Sequence, residues 1–396
     1  MSLQAEQRLG PILEKIAAES SAERAERCQG LFDRLAAPLS ERLVLFGAGQ
    51  FGQLVVERLR NAGVEPCCFA DNNRNIWDKQ LNGLDVLSPA AAVDRFGQTA
   101  SFVVTIFNGS SARKQLTQMG CRRVLPITPL FWKYPQQFMP DLGIGEPERI
   151  VEEPDQIRQC FAILSDQQSR EELCDQISWR YWMEPEFLAL PVNSGEIYFP
   201  SDLVKDADDE VFVDCGAFDG DSIRSFLRRG RSFSHLYALE PDARSRALLA
   251  KSIATLSEDL RGKITVWPYA AGDFDGQASF AATGDVASKV SSSETGITIE
   301  SRKLDSLDWP FTPTYLKMDI EGSEPDALAG AANLLPGAQP VLAICLYHRL
   351  EHLWQIPNLI HSLAPGYSIF LRRYAEDGWE QVCYAVPRSR LAPGKL

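Results

Sequence analysis

Apolar residues gather into short unbroken runs separated by helical patterns, and this rhythm is set up twice along the chain. The first round opens with Arg42-Leu-Val-Leu-Phe46, a buried-strand run, followed by the turn Gly47–Gly52 and a helix to about Asn61. A second strand over Glu65–Ala70 ends at Asp71. A helix over about Ser88–Phe96 carries Pro89 in its first turn, where the missing amide hydrogen is tolerated. The strand Phe102–Phe107, another helix and a strand near Val124 complete this round.

The second round opens with the strand Val211–Cys215, the turn Gly216–Gly220 and a helix. Strands follow at His235–Leu239, Lys263–Pro268, Thr314–Met318 and Val341–Leu346. Two closing strands near Tyr367–Leu371 and Gln381–Val386 flank Glu376-Asp377-Gly378, a hairpin signal. Strands alternating with helices predict parallel, doubly wound α/β sheets, here two Rossmann-like units, the second ending antiparallel.

Between them the rhythm breaks. Pro135, Pro140, Pro147 and Pro154 punctuate a linker, and about Asp155–Met183 reads as a helical stretch packed on one or both units. Its Trp179, Tyr181 and Trp182 read as core anchors. With 396 residues the chain exceeds the roughly 250–300 at which one core stops growing. The expected organisation is a helical segment at 1–37, a nucleotide-binding-type Rossmann-like domain at 38–130, a connecting segment at 131–196 and a further domain at 197–396. Within the last, Ala287–Gly296 reads as a polar loop, with Ser291–Ser293 a mobile loop or a lid near the substrate.

The formal charge of −13 disfavours phosphate backbones, so no nucleic-acid partner is expected. The first thirty residues read as an amphipathic, charge-mixed helix without an apolar leader core, and no apolar run approaches the roughly 18–20 residues that span a bilayer. A cytoplasmic protein with no membrane partner is expected. Nine cysteines include no C-x-x-C pair and several lie inside strand runs, as buried thiols in a reducing compartment do. With four histidines and no ligand spacing, no metal site built from cysteine and histidine is expected.

Candidate chemistry concentrates at the strand ends of the second unit. Asp214 ends the first strand, and Gly216 and Gly220 permit a tight turn at a helix N-terminus, where a Rossmann ligand lies. Glu240, twenty residues past Gly220, can accept both hydroxyls of a ribose. The G-x-x-x-G spacing favours a ligand without a pyrophosphate. Lys317-Met-Asp-Ile-Glu-Gly322 puts three charges at alternating positions on a buried strand end, which is costly unless they work or pair with one another. Tyr347-His348-Arg349 closes the next strand into the same crevice.

Val213-Asp-Cys-Gly-Ala-Phe-Asp-Gly220, Ala238-Leu-Glu-Pro-Asp242 and Lys317–Glu324 together resemble the FkbM-type methyltransferases, over about residues 197–388. The resemblance implies a class I seven-stranded sheet, S-adenosylmethionine as cofactor, and methylation of an oxygen on a sugar, glycan precursor or secondary metabolite. It implies donor contacts at Asp214, Gly216, Ala217, Phe218, Gly220, Glu240, Ala270 and Asp319. For catalysis, His348 is the first candidate base, since its free pKa lies near neutrality. Asp319 and Glu321 stand in reserve as base, orienting group or acceptor contact, the last directly or through a metal ion. A packing role for His348 remains the alternative. Cys345 stands near where many relatives have glutamate. The expected partner is a small-molecule or sugar acceptor, and a homodimer is left open.

The first unit carries Gly47-x-Gly49-x-x-Gly52 with Asp71 nineteen residues on, the dinucleotide fingerprint in its proper context. It resembles Rossmann-like domains appended to sugar-modifying enzymes. No Tyr-x-x-x-Lys or other hydride-transfer set follows it. Two further functions compete with methyl transfer: an NAD-dependent oxidoreductase using this unit, and a non-catalytic sensor of S-adenosylmethionine or a nucleotide sugar.

Overall fold

The computed structural model describes residues 3–139, 144–184, 188, 190–191, 197–281, 289–290 and 297–394. Ser291–Ser293, read above as a loop or lid, lies outside them.

The first unit is a six-stranded sheet built from β1 (Leu43–Phe46), β2 (Cys68–Ala70), β3 (Gln80–Leu81), β4 (Leu84–Leu87), β5 (Ser101–Val104) and β6 (Arg123–Pro126). The order is β3-β4-β2-β1-β5-β6, parallel except where β3 pairs with β4. The apolar runs of β1 and β5 are central and fully buried, as strands covered on both faces must be. Ser20 caps the helix Ser21–Ala36 in a capping box with Glu23, so the first thirty residues are two helices rather than one.

The second unit contains β7 (Glu210–Cys215), β8 (Phe233–Leu239), β9 (Ile264–Trp267), β10 (Tyr269–Ala271), β11 (Gly276–Ala281), β12 (Lys289–Val290), β13 (Ile297–Arg302), β14 (Tyr315–Met318), β15 (Val341–Cys345), β16 (Tyr367–Arg373) and β17 (Gln381–Pro387). Seven of these form the sheet β16-β17-β15-β14-β7-β8-β9, with β17 antiparallel to both neighbours. This is the class I methyltransferase layout. The chain is therefore α/β, with two Rossmann-like sheets. A separate sheet, β10-β13-β11-β12, was not foreseen, and its strand Lys289–Val290 falls within Ala287–Gly296, the stretch read as a polar loop.

The connecting helix breaks in two, Pro154–Ile163 and Gln167–Trp182, where Leu164 bridges to Ile369 and Asp166 caps the second piece. Gln167–Trp182 is buried nearly all round. Leu173 and Ile177 join the core of the second unit, while Trp179 joins that of the first. Arg372 and Arg373 of β16 are anchored on it through Asp166 at 2.7 Å and Glu172 at 2.9 Å. Trp179, Tyr181 and Trp182 are all buried. Among the described residues no helix is long and apolar enough to cross a membrane.

Candidate active site

The parallel register places Lys317 of β14 directly opposite Asp214 of β7. Their side chains pair at 2.9 Å, and both are buried. Burial opposes the charge on Lys317, yet Asp214 and Asp319 push its pKa up, so it remains an ammonium. Burial pushes the Asp214 carboxyl up to about 6, against the pull of Lys317. Lys317 Nζ also donates to the carbonyl of Gly216 at 2.9 Å, fixing the turn after β7 to the end of β14.

That turn is tight. Gly216 lies at φ +80°, and a Cβ there would sit 2.0 Å from the carbonyl oxygen of Asp319. Phe218, at φ +44°, follows in the left-handed region, and its amide donates to Glu240 Oε2 at 2.8 Å. The amide of Asp242 donates to Glu240 Oε1 at 2.8 Å. Burial pushes the Glu240 pKa up, and these two amides counter it.

Asp319 gathers donors. Tyr198 Oη reaches Oδ2 and Tyr347 Oη reaches Oδ1, each at 2.9 Å, and His348 Nε2 lies 3.2 Å from Oδ1. Although burial opposes ionisation, His348 and Lys317 hold its carboxyl well below the carboxylate range. On the other ring nitrogen, His348 Nδ1 meets the buried Glu324 at 2.8 Å. Burial disfavours its charge, but Glu324 and Asp319 push the His348 pKa well above its ordinary value. Carboxylates face both ring nitrogens of His348, Asp319 at Nε2 and Glu324 at Nδ1, which favours its protonated form. Asp319, Glu324 and His348 offer one ligand atom each within 4.8 Å of one another, close enough for a cation if His348 lost its proton.

These groups border a cavity of about 570 Å³, of the size that takes a small-molecule ligand. Gly216, Phe218, Glu240 and Ala270 line one part, and Asp319, Glu321, Tyr347 and Glu380 another. Lys317 is the lining cation among the described residues, facing five carboxylates: Asp221, Glu240, Asp319, Glu321 and Glu380. Eight described residues other than glycine have positive φ, and four of them, Tyr198, Phe218, Glu321 and Glu380, line this cavity. Strain of this kind persists where the surrounding structure enforces it, typically at functional sites.

Residues 214–364 match the model of the methyltransferase FkbM domain. A methyltransferase FkbM from Methylobacillus flagellatus KT has a similar fold, with a TM-score of 0.72 at 23% identity, over 97% of this chain and 99% of that one. No curated protein matches the sequence. The FkbM match begins at Asp214 and ends before β16, so Tyr198, Glu380 and the whole first unit lie outside it.

Of the residues named from sequence, Gly216, Phe218, Glu240, Ala270, Asp319 and Glu321 face the cavity. Asp214, Ala217 and Gly220 do not line it. Asp214 lies beneath the turn on Lys317, Ala217 is buried in the core, and a Cβ on Gly220 would meet Leu249 at 2.9 Å. His348 stands behind Asp319 rather than at the cavity wall. Sequence reasoning missed Tyr198, whose aromatic run Ile197-Tyr-Phe precedes the first recognised strand, and Glu380, just past the predicted hairpin. It also missed Asn108, which reaches the FkbM cavity from the first unit.

In that unit Asp71 Oδ2 accepts from the amide of Ala48 and Oδ1 from that of Asn73, each at 2.7 Å. A Cβ on Gly52 would lie 2.0 Å from the Gly47 carbonyl, so packing alone demands that glycine, while Gly49 faces open space. The turn thus repeats the Glu240 arrangement with a shorter acid.

Proposed function

We propose that the chain is an S-adenosylmethionine-dependent methyltransferase that acts on a hydroxyl oxygen of a sugar, glycan precursor or secondary metabolite. The supporting observation is an acid-lined cavity in the FkbM domain, floored by the Gly216 turn and carrying the Glu240 carboxylate at its wall. Five carboxylates against one buried ammonium suit a cationic sulfonium and repel a dinucleotide's pyrophosphate.

S-adenosylmethionine supplies an electrophilic methyl group when bound. Glu240, pinned by two amides, keeps acceptor capacity for ribose hydroxyls. The backbone of Gly216 and Phe218 and the small Ala270 leave room for the nucleoside. Asp319, oriented by Tyr198, Tyr347 and the His348 imidazolium, holds a fixed negative charge where it can bind the donor or the acceptor. His348 acts through Asp319 as a positioning residue, since an imidazole already protonated between two carboxylates does not serve as the base. Most of the acceleration then comes from holding two reactants at near-attack distance.

Titration of the purified chain with S-adenosylhomocysteine should give saturable one-to-one binding by calorimetry. Absence of heat together with unchanged melting temperature would remove the donor, and this reading with it.

A further inference from the structure

The geometry points to Glu380 as a catalytic residue that takes the proton of the acceptor hydroxyl, in a pocket completed by Asn108 of the first unit. This rests on the methyltransferase reading above.

The other carboxylates at the cavity are engaged. Glu240 accepts two amides, Asp319 gathers two tyrosines and His348, and Glu321 lies 3.6 Å from His348. Asp221 accepts from the amide of Ser222 at 2.7 Å. Glu380 takes no hydrogen bond or ion pair on its side chain from the described residues, although it is half-buried at the cavity wall. Its backbone sits at φ +52°, held there by the bond from the amide of Tyr374 to its carbonyl at 3.1 Å. A non-glycine residue in that region carries a conformational cost, so glycine would suit the backbone better. Burial, with the nearby charge of Asp319, pushes the Glu380 pKa up, toward the range of a useful base.

Asn108 is delivered to the same cavity by a specific tether. It lies in the loop after β5, and the next amide, Gly109, donates to Asp377 Oδ2 at 2.9 Å. Arg113 pairs with the same carboxylate, Lys114 pairs with Glu376 at 2.9 Å, and Phe107 meets the edge of Trp379 at 5.2 Å. The β16–β17 hairpin is therefore bound to that loop, and to the helix Ser110–Gln118 after it, through Glu376, Asp377 and Trp379, just ahead of Glu380. An asparagine amide both donates and accepts, which suits a hydroxyl-rich neutral acceptor. An acceptor phosphate or carboxylate placed here would face Asp319, Glu321 and Glu380.

In the step assigned, the acceptor O–H bond breaks and its proton passes to the Glu380 carboxylate. The oxygen forms a bond to the methyl carbon as the carbon–sulfur bond breaks, with that electron pair remaining on sulfur. Glu380 then returns the proton to water.

The test uses the full chain, a tritium-labelled methyl donor and the low-molecular-weight fraction of a cell extract as acceptor source. Glu380→Gln should lower the saturated rate of label transfer at least about 100-fold, with Glu380→Asp recovering part of it. Glu380→Gly should melt no lower than the native chain, since it relieves the backbone, and still lose the activity. Asn108→Ala should raise the extract concentration needed for half-maximal rate about 2- to 10-fold, the loss of one hydrogen bond. All four should bind S-adenosylhomocysteine as the native chain does. Near-native transfer by Glu380→Gln or Glu380→Gly would overturn the assignment while leaving the methyltransferase reading intact. No transfer by the native chain would sink both.

Discussion

The carbonyl oxygen of Asp319 occupies the space in which a side chain on Gly216 would begin, 2.0 Å from its ideal Cβ. The glycine is there so that two strand ends can close on each other, and the cavity beside them is a consequence of that closure. Gly216→Ala should cost about 1–3 kcal/mol from overpacking, before any penalty for the positive φ. Chemical denaturation should show it, together with loss of S-adenosylhomocysteine binding. A variant as stable as the native chain would mean that the two strand ends separate easily.

Glu240→Ala removes a charged acceptor worth roughly 1.5–3 kcal/mol per hydrogen bond, so donor affinity should fall about 10- to 150-fold. Calorimetry with S-adenosylhomocysteine reads this directly. Unchanged affinity would take Glu240 out of the donor contacts.

Lys317→Met leaves Asp214 buried without its partner and should destabilise the fold by about 3–5 kcal/mol. Adding Asp214→Asn should recover most of that loss, because no uncompensated charge remains. Equal instability of the single and double variants would show that the pair is not what holds these strand ends.

The His348 pKa is raised in the fold, so its pairing with Glu324 and Asp319 contributes fully below about 6.5 and is lost as pH rises through the folded value. The melting-temperature gap between the native chain and His348→Gln should therefore be widest in mild acid and narrow on the alkaline side. A gap that widens with pH would mean that the ring is neutral. Such a result would return His348 to the role of base.

The first unit should show no NAD(P)H-dependent turnover with sugar or alcohol substrates. No hydride-transfer set accompanies its glycine turn, and Asp71 already accepts two backbone amides. Steady hydride transfer that disappears in Gly49→Val would show the opposite.

By itself the sequence determined the two sheets and named several residues that line the cavity between their strand ends, Gly216, Phe218, Glu240, Ala270, Asp319 and Glu321. Short apolar runs such as Val211–Val213, bounded by a glycine turn, read as strands buried on both faces, and the next strand of such a unit places Glu240 at a fixed remove from that turn. These are local or nearest-neighbour relations, so spacing carries them. What only the tertiary structure decided depends on register and on contacts between distant segments. The pairing of β7 with β14 turns Asp214 toward Lys317 and away from the cavity. The return of Glu324 beneath His348 sets a buried carboxylate against the ring nitrogen of the candidate base. Asp377 draws Gly109 across 268 positions of sequence, and with it Asn108 arrives at the cavity that Glu380 also lines. No pattern in either segment announces that meeting, because the charge and hydrogen bonds that make it exist only once both units have folded.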